Sequence, residues 1–352
     1  MKPNANNLYG LDDNEYISTI YSIESQFDHE FYLEIYNDLS LGNIRSFDDA
    51  MDHYINIGQY EDRTYSYEHM VNSYYSKTGV DLHDIFDYEF YLEIYKDLGA
   101  KNVTTRNTAI IHYITVGHNE SRIYSRNQMY EHFTKENTRA ISELESYPDV
   151  SDKKFRILIR TSNRPKMFKK CIDSILNQTY HNYYIYICYD DESSLTYLKD
   201  YDNHHLITYF PIHVDSNQRY KFNLYCNQLL DKVNDGYIMF IDDDDRFIGP
   251  RVLELLNYNI GFNKIITWRF LRPDMLVYLK DLDNEIILGE IDTASVCFHH
   301  SLKDKSRWDD EQYGDYRFYK TLFSACPRNL KISIPYTLIS TQFNNKIGNF
   351  GE

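Results

Sequence analysis

Positive charge is the first thing this 352-residue sequence lacks: 37 Lys and Arg stand against 53 Asp and Glu, for a formal net charge of −16. That balance argues against a nucleic-acid phosphate backbone or an anionic membrane as the main partner. Cysteine is scarce as well. The five (Cys171, Cys188, Cys226, Cys297, Cys326) are odd in number, sit in the second half and never form C-x-x-C. Neither a disulfide framework nor a zinc site is expected, and the thiols are read as buried and free in a reducing compartment. No apolar run approaches the roughly 18 residues that a bilayer span requires. The opening MKPNANNLYG has no apolar h-region, so no signal peptide is expected and the reading is cytoplasmic. G-x-x-x-x-G-K-[ST] and G-x-G-x-x-G are both missing, which removes support for a Walker-type or dinucleotide site.

The first half instead holds a duplication. Phe27-Asp28-His29-Glu30-Phe31-Tyr32-Leu33-Glu34-Ile35-Tyr36-Asn37-Asp38-Leu39 is matched by Phe86-Asp87-Tyr88-Glu89-Phe90-Tyr91-Leu92-Glu93-Ile94-Tyr95-Lys96-Asp97-Leu98. The offset is 59 residues for Phe27 and Phe86, for His53 and His112, and for Arg63 and Arg122. An unbroken register of this kind is an internal repeat. Each copy predicts two helices, the first N-capped by Asp28 or Asp87 and the second closed near Gly58 or Gly117. His53, His112, Arg63 and Arg122 are read as packing and ion-pairing residues that close each unit. The expected domains are an all-α repeat domain over 1–125, a polar and partly helical linker over 126–152, and an α/β domain over 153–352. The repeat pattern resembles units found beside glycosyltransferase domains in bacterial and giant-virus polysaccharide proteins. That likeness implies an accessory or glycan-assembly module, with protein partners or self-association through the repeats, and the host cytoplasm as location if the source is viral.

From Phe155 onward strands and helices alternate, which predicts a mostly parallel sheet. Strands at 155–160, 183–189 and 237–241 run into three polar clusters: Thr161-Ser162-Asn163-Arg164, Asp190-Asp191 and Asp242-Asp243-Asp244-Asp245. In a parallel sheet these clusters share one edge, where open α/β sheets bind ligands. Tyr237-Ile238-Met239-Phe240-Ile241 reads as a strand covered on both faces. If the chain stays extended beyond it, Asp242 and Asp244 point the same way. Crowded carboxylates repel unless a cation sits among them, and hard oxygen donors suit Mg²⁺ or Mn²⁺.

In this order, strand-T-x-N-R, strand-D-D-x-S and G-Y-I-M-F-I-D-D-D-D resemble a family 2 glycosyltransferase of the GT-A fold over about 155–325. The resemblance implies an inverting hexosyltransferase-type enzyme that moves a sugar from a nucleoside diphosphate donor to a glycan or glycoprotein hydroxyl. UDP is the first choice of donor, with GDP and dTDP as alternatives. By that likeness Thr161, Asn163 and Arg164 lie by the nucleotide and Asp190 or Asp191 contacts the base. Asp242, Asp243 and Asp244 form the acidic motif, with Asp244 and Asp242 as metal ligands. The segment before the last helix resembles the acceptor side, so Asp315 is expected as general base, with Asp309, Asp310 and Glu311 as alternatives. Glu192 departs from the usual Gly, and Asn223 and Asn227 follow the family pattern only loosely. His299 and His300 are weighed as an extra metal ligand but expected in packing. Trp308 is read equally as acceptor platform or core, and Trp268 as core by default. Two other readings are kept: a degenerate transferase acting as a glycan-assembly scaffold, and a nucleotidyltransferase.

Overall fold

A computed structural model describes residues 12–144, 152–213, 217–261, 263–272, 277–278 and 286–341. The chain divides into two compact units, Met1–Gln128 and Met129–Glu352. The first is helical, and its two copies are built alike to the level of single hydrogen bonds. Asp28 caps helix His29–Ile35 by accepting from the Phe31 N–H, and Asp87 caps Tyr88–Ile94 by accepting from Phe90. In each copy a buried Tyr hydroxyl meets a His Nδ1 at 3.0 Å, Tyr32 with His53 and Tyr91 with His112. Each closing Arg forms a fork with an Asp (Arg63 with Asp38, Arg122 with Asp97) and lies over a Tyr ring, 4.7 Å from the Tyr36 centroid and 4.5 Å from that of Tyr95. Gly58 and Gly117 are required by packing: a Cβ at either would collide with the hydroxyl of Tyr32 or Tyr91. Neither glycine is the simple helix cap that the sequence suggested. Gly58 opens a 3₁₀ turn and Gly117 ends a π turn.

The stretch expected as a linker differs from that reading. Arg126–Leu144 is a 19-residue helix, and from Met129 onward it belongs to the second unit. Asn137 is buried and its amide donates to the carbonyls of Ile248 and Thr337, while the Tyr130 hydroxyl donates to that of Phe247. The Asn137 NH₂ thus has two backbone acceptors, while its Oδ1 is buried with no partner among the described residues, and a helix of polar composition can still be a structural element.

Among the described residues the second unit carries a nine-stranded sheet. The strands are β1 Phe155–Thr161, β2 Tyr183–Tyr189, β3 Ile207–Pro211, β4 Tyr237–Asp242, β5 Asp245–Phe247, β6 Ile265–Leu271, β7 Val277–Tyr278, β8 Val296–His299 and β9 Lys331–Thr341. Their order is β3-β2-β1-β4-β8-β6-β9-β5, with β7 paired to β6. Strands β3, β2, β1 and β4 are mutually parallel, and β8 runs against both β4 and β6. Apolar side chains of β4 alternate between two cores. Met239 and Ile241 pack with Phe168, Ile172 and Leu256 of helices Pro165–Leu176 and Val252–Ile260; Ile238 and Phe240 pack with Leu229, Phe318 and Leu322 of helices Lys221–Asp231 and Gly314–Ser324. Each fully buried side chain of this size is worth roughly 1.5–3 kcal/mol, so the strand is anchored from both sides. Gly236 precedes it at φ +75°, with Lys154 O against the place a Cβ would take.

Candidate active site at the carboxyl edge of the sheet

The chain runs β1 to β2 to β3 in one direction and then returns to place β4 on the other side of β1. This reversal leaves a crevice at the carboxyl ends of β1 and β4, the usual ligand position in open α/β sheets. Arg160 and Asp242 are paired in register there. Because strand side chains alternate, the two rows diverge. On one face Arg160 holds Asp242 by a two-point bridge (2.6 and 2.9 Å) and donates to Phe222 O at 2.9 Å. On the other, Thr161 Oγ1 donates to Asp243 Oδ2 at 2.7 Å and meets the Tyr197 hydroxyl at 2.8 Å. Arg164 grips both Asp243 oxygens and also reaches Asp244 at 3.1 Å.

The four aspartates are not an extended strand. β4 ends at Asp242, residues 243 and 244 turn, and β5 begins at Asp245. The turn brings Asp242, Asp244 and Asp245 together, with one carboxylate oxygen from each inside a 4.8 Å cluster. Asp245 is thus a member that alternation did not reveal. Asp243, wholly buried, faces away and joins Thr161 to Arg164, so it supports the loop and is not turned toward a ligand. Burial pushes the Asp243 carboxyl up to about 7 despite the Arg164 cation beside it. Asp244 is also raised, by burial and then by Asp242, and Asp245 by burial and then by Asp244, Asp292 and Asp242. Four carboxylates face two guanidinium groups, so the ionised cluster carries excess negative charge that a divalent ion would offset. Three hard oxygen donors on one side fit Mg²⁺ or Mn²⁺, which retain open positions for water and phosphate oxygens.

Asp190 and Asp191 follow β2, whose last residue, Tyr189, pairs with Thr161 in the β1–β2 register. The Tyr225 hydroxyl donates to Asp190 Oδ2 at 2.7 Å and Lys221 lies 3.4 Å away, whereas Oδ1 is buried with no partner among the described residues. Asp191 is exposed and accepts from the Ser193 N–H; Ser193, through its hydroxyl and then its N–H, lowers the Asp191 pKa. Asn163 sits at φ +48° and donates its backbone N–H to Ser194 Oγ at 2.9 Å, tying the first loop to the second.

The C-terminal acids separate by what they touch. Asp309 is held by Arg317, which lowers its pKa, and Asp310 accepts the backbone N–H groups of Arg219 and Tyr220. Asp315 lies in the first turn of helix Gly314–Ser324, where burial raises its pKa; Arg160 and Asp242 act on it electrostatically. Its approach is fixed by two asparagines. Asn223 donates to the carbonyls of Asp309 and Glu311, and Asn227 accepts from Trp308 N–H and donates to Trp308 O. Gly314 packs so closely on Asn223 that a side chain there would clash.

Asp292, which sequence reading passed over, belongs to the same acidic field. One oxygen accepts from the Ala294 N–H, and burial brings its pKa to about 7, with Asp242 and Asp315 among the contributors. The signal available for it was only an Asp before a small-residue turn. Trp308 is core, stacked 4.8 Å from Phe318, and Trp268 is fully buried. His299 pairs with Tyr237 across antiparallel β8. That puts it at the opposite end of β4 from Asp242, five residues or about 16 Å away, too far for a shared ion. His300 follows it at the same end, with its imidazole Nδ1 3.3 Å from Gly236 O.

The second unit is thus a mostly parallel sheet whose carboxyl edge gathers a cluster of aspartates. Residues 156–323 match the model of the family described as Glycosyl transferase family 2. No curated protein matches the sequence. Among solved structures, residues 1–349 of S. aureus TarS in complex with UDP-GlcNAc share 13% identity at a TM-score of 0.45, over 53% of this chain and 58% of that one. Mannosyltransferase PcManGT from Pyrobaculum calidifontis, in complex with GDP-Man and Mn²⁺, shares 10% at 0.41, over 62% and 67%. The chain thus spans less than two thirds of the TarS chains it matches.

Proposed function

We propose that the second unit is a divalent-metal-dependent, inverting glycosyltransferase that moves a sugar from a nucleoside diphosphate to a glycan hydroxyl. The observation that carries this reading is the Asp242, Asp244 and Asp245 cluster at the β1–β4 reversal. Those three carboxylates would hold Mg²⁺ or Mn²⁺, which supplies Lewis-acid stabilisation of the departing diphosphate. Arg160 and Arg164 keep the acids in place. Thr161 and Asn163 shape the wall beside the nucleotide through Asp243 and Ser194.

Asp190 Oδ1, buried and without a partner among the described residues, is the acceptor for a ring N–H of the base. Uracil and thymine offer N3–H and guanine N1–H; neutral cytosine and adenine offer only acceptors at those positions. UDP, dTDP and GDP donors, which carry such a ring N–H, are therefore favoured. Asp315 takes the proton of the acceptor hydroxyl as its oxygen attacks the anomeric carbon on the side opposite the diphosphate, which inverts that centre. Asp309 and Asp310 already hold Arg317 and the 219–220 backbone, which favours Asp315 over either. Turnover of labelled UDP-, GDP- and dTDP-sugars with Mn²⁺, compared with Asp244→Asn, tests the reading; a donor consumed equally by wild type and variant, with or without EDTA, would sink it.

A further inference from the structure

We infer that the helical unit carries a saccharide-binding pocket of its own, at the junction of its two repeats. The proposal rests in part on the glycan chemistry assigned to the second unit. A space of about 340 Å³ opens between the end of the first copy and the π turn of the second. That is within the range of small-ligand pockets and suits one or two sugar rings. Its floor is buried yet polar: Thr64 and Tyr74 are each 7% exposed, and Met70 adds an apolar patch. Its rim is exposed and polar, with Thr115 and His118, whose Nδ1 lies 3.1 Å from the Tyr74 hydroxyl. The two charges that line it, Asp62 and Lys77, are paired with each other. A neutral lining of hydroxyls, imidazole and apolar patches suits a sugar ring, with its hydroxyl edge and C–H faces, better than a phosphate or a metal ion.

The duplication supplies an independent observation. Positions that build the fold are identical in both copies: Tyr32 and Tyr91, Tyr36 and Tyr95, His53 and His112, Arg63 and Arg122. Tyr36, Met70 and Ile114, which also line the pocket, keep their identity at the 59-residue offset (Tyr95, Met129, Ile55), whereas several of its polar positions change. Thr64 corresponds to Ile123, Asp62 to Ser121, His118 to Gln59 and Thr115 to Asn56. The fold does not require these particular side chains, since the other copy bears different ones, so the threonines and histidine gathered at one space call for a reason that the framework lacks.

The full-length protein should give saturation-transfer NMR signals with a panel of neutral hexoses, N-acetylhexosamines and their disaccharides. Thr64→Ile and His118→Gln each install the residue that the other copy bears, so folding is expected to hold and can be checked by thermal unfolding. With the best saccharide of the panel, each should raise the dissociation constant at least tenfold, and Thr115→Arg on the exposed rim should abolish the signals. Asp244→Asn, which disables only the proposed transfer site, should leave them unchanged. Signals absent across the panel, or persisting in all three pocket variants, would overturn the proposal. Saccharide binding lost in the pocket variants, in a protein that turns over no nucleotide sugar, would support this pocket while removing the proposed transfer reaction.

Discussion

Arg164→Met tests how the acidic turn is held. In the wild type the Asp243 carboxyl is wholly buried and gripped by Arg164, yet burial still lifts its pKa from 3.8 to about 7. Since the folded value lies above the unfolded one, the folded state binds more protons between about pH 4 and 7. The contribution of this group to stability is complete below pH 4 and is lost as pH rises toward 7. Removing the guanidinium takes away the main lowering influence, so the folded pKa rises further and the loss extends to higher pH. At pH 8 the variant must either bury an unpaired carboxylate or take up a proton, and breaking a buried pair typically costs about 3–5 kcal/mol. At pH 5 Asp243 is already largely protonated, so the cost should fall to about 1 kcal/mol, that of a neutral hydrogen bond. For a unit of this size 1 kcal/mol moves the melting temperature by roughly 2–4 °C. Metal-free thermal unfolding should therefore show a deficit near 10 °C at pH 8 and near 3 °C at pH 5. Arg164→Met combined with Asp243→Asn should recover much of the loss at pH 8. An equal deficit at both pH values, or no recovery in the double variant, would refute the assignment of Asp243 as a buried, Arg-held acid.

Other consequences concern the acceptor side and the base. Asp315→Asn should lower kcat at least a hundredfold with donor binding unchanged, as expected for loss of a general base. Because burial raises the Asp315 pKa and the carboxylate is the active form, the wild-type rate should fall on acidification at a pH above the ordinary aspartate range; a rate flat down to pH 4 would exclude it. Asn227→Ala removes the clasp on Trp308 and should cost about 1–2 kcal/mol in unfolding, with kcat falling more than donor KM rises. Asp190→Ala should weaken UDP binding about tenfold or more, as calorimetry would show, while an unchanged affinity would remove it from the base site.

Much of this was legible because local physics and global fold agree there. The helical duplication shows in sequence since its framework residues recur at a constant offset, and β4 shows since an apolar run of its length has few other uses. What stayed hidden depends on long-range geometry. Asp242 and Asp244 lie near each other through the turn at 243–244 and not through strand alternation, and the same turn explains why Asp245 joins them and Asp243 leaves. Asp292 comes to the site through packing of a turn far along the chain, and no spacing rule reaches that distance. The helix over 126–144 looked like a connector because its buried anchor is Asn137, a polar residue whose acceptors, Ile248 and Thr337, are remote in sequence. A surface or core role is expected for His299 from the sequence, and the antiparallel run of β8 sets it at the far end of β4 from Asp242.

Titration of the purified protein with Mn²⁺, followed by electron paramagnetic resonance, addresses the acidic turn most directly. One ion per chain should bind in the wild type, and binding should be lost or weakened at least tenfold by Asp244→Asn and by Asp245→Asn separately. Manganese held with undiminished affinity in both variants, or none held by the wild type even with UDP present, would contradict a metal site built from these carboxylates.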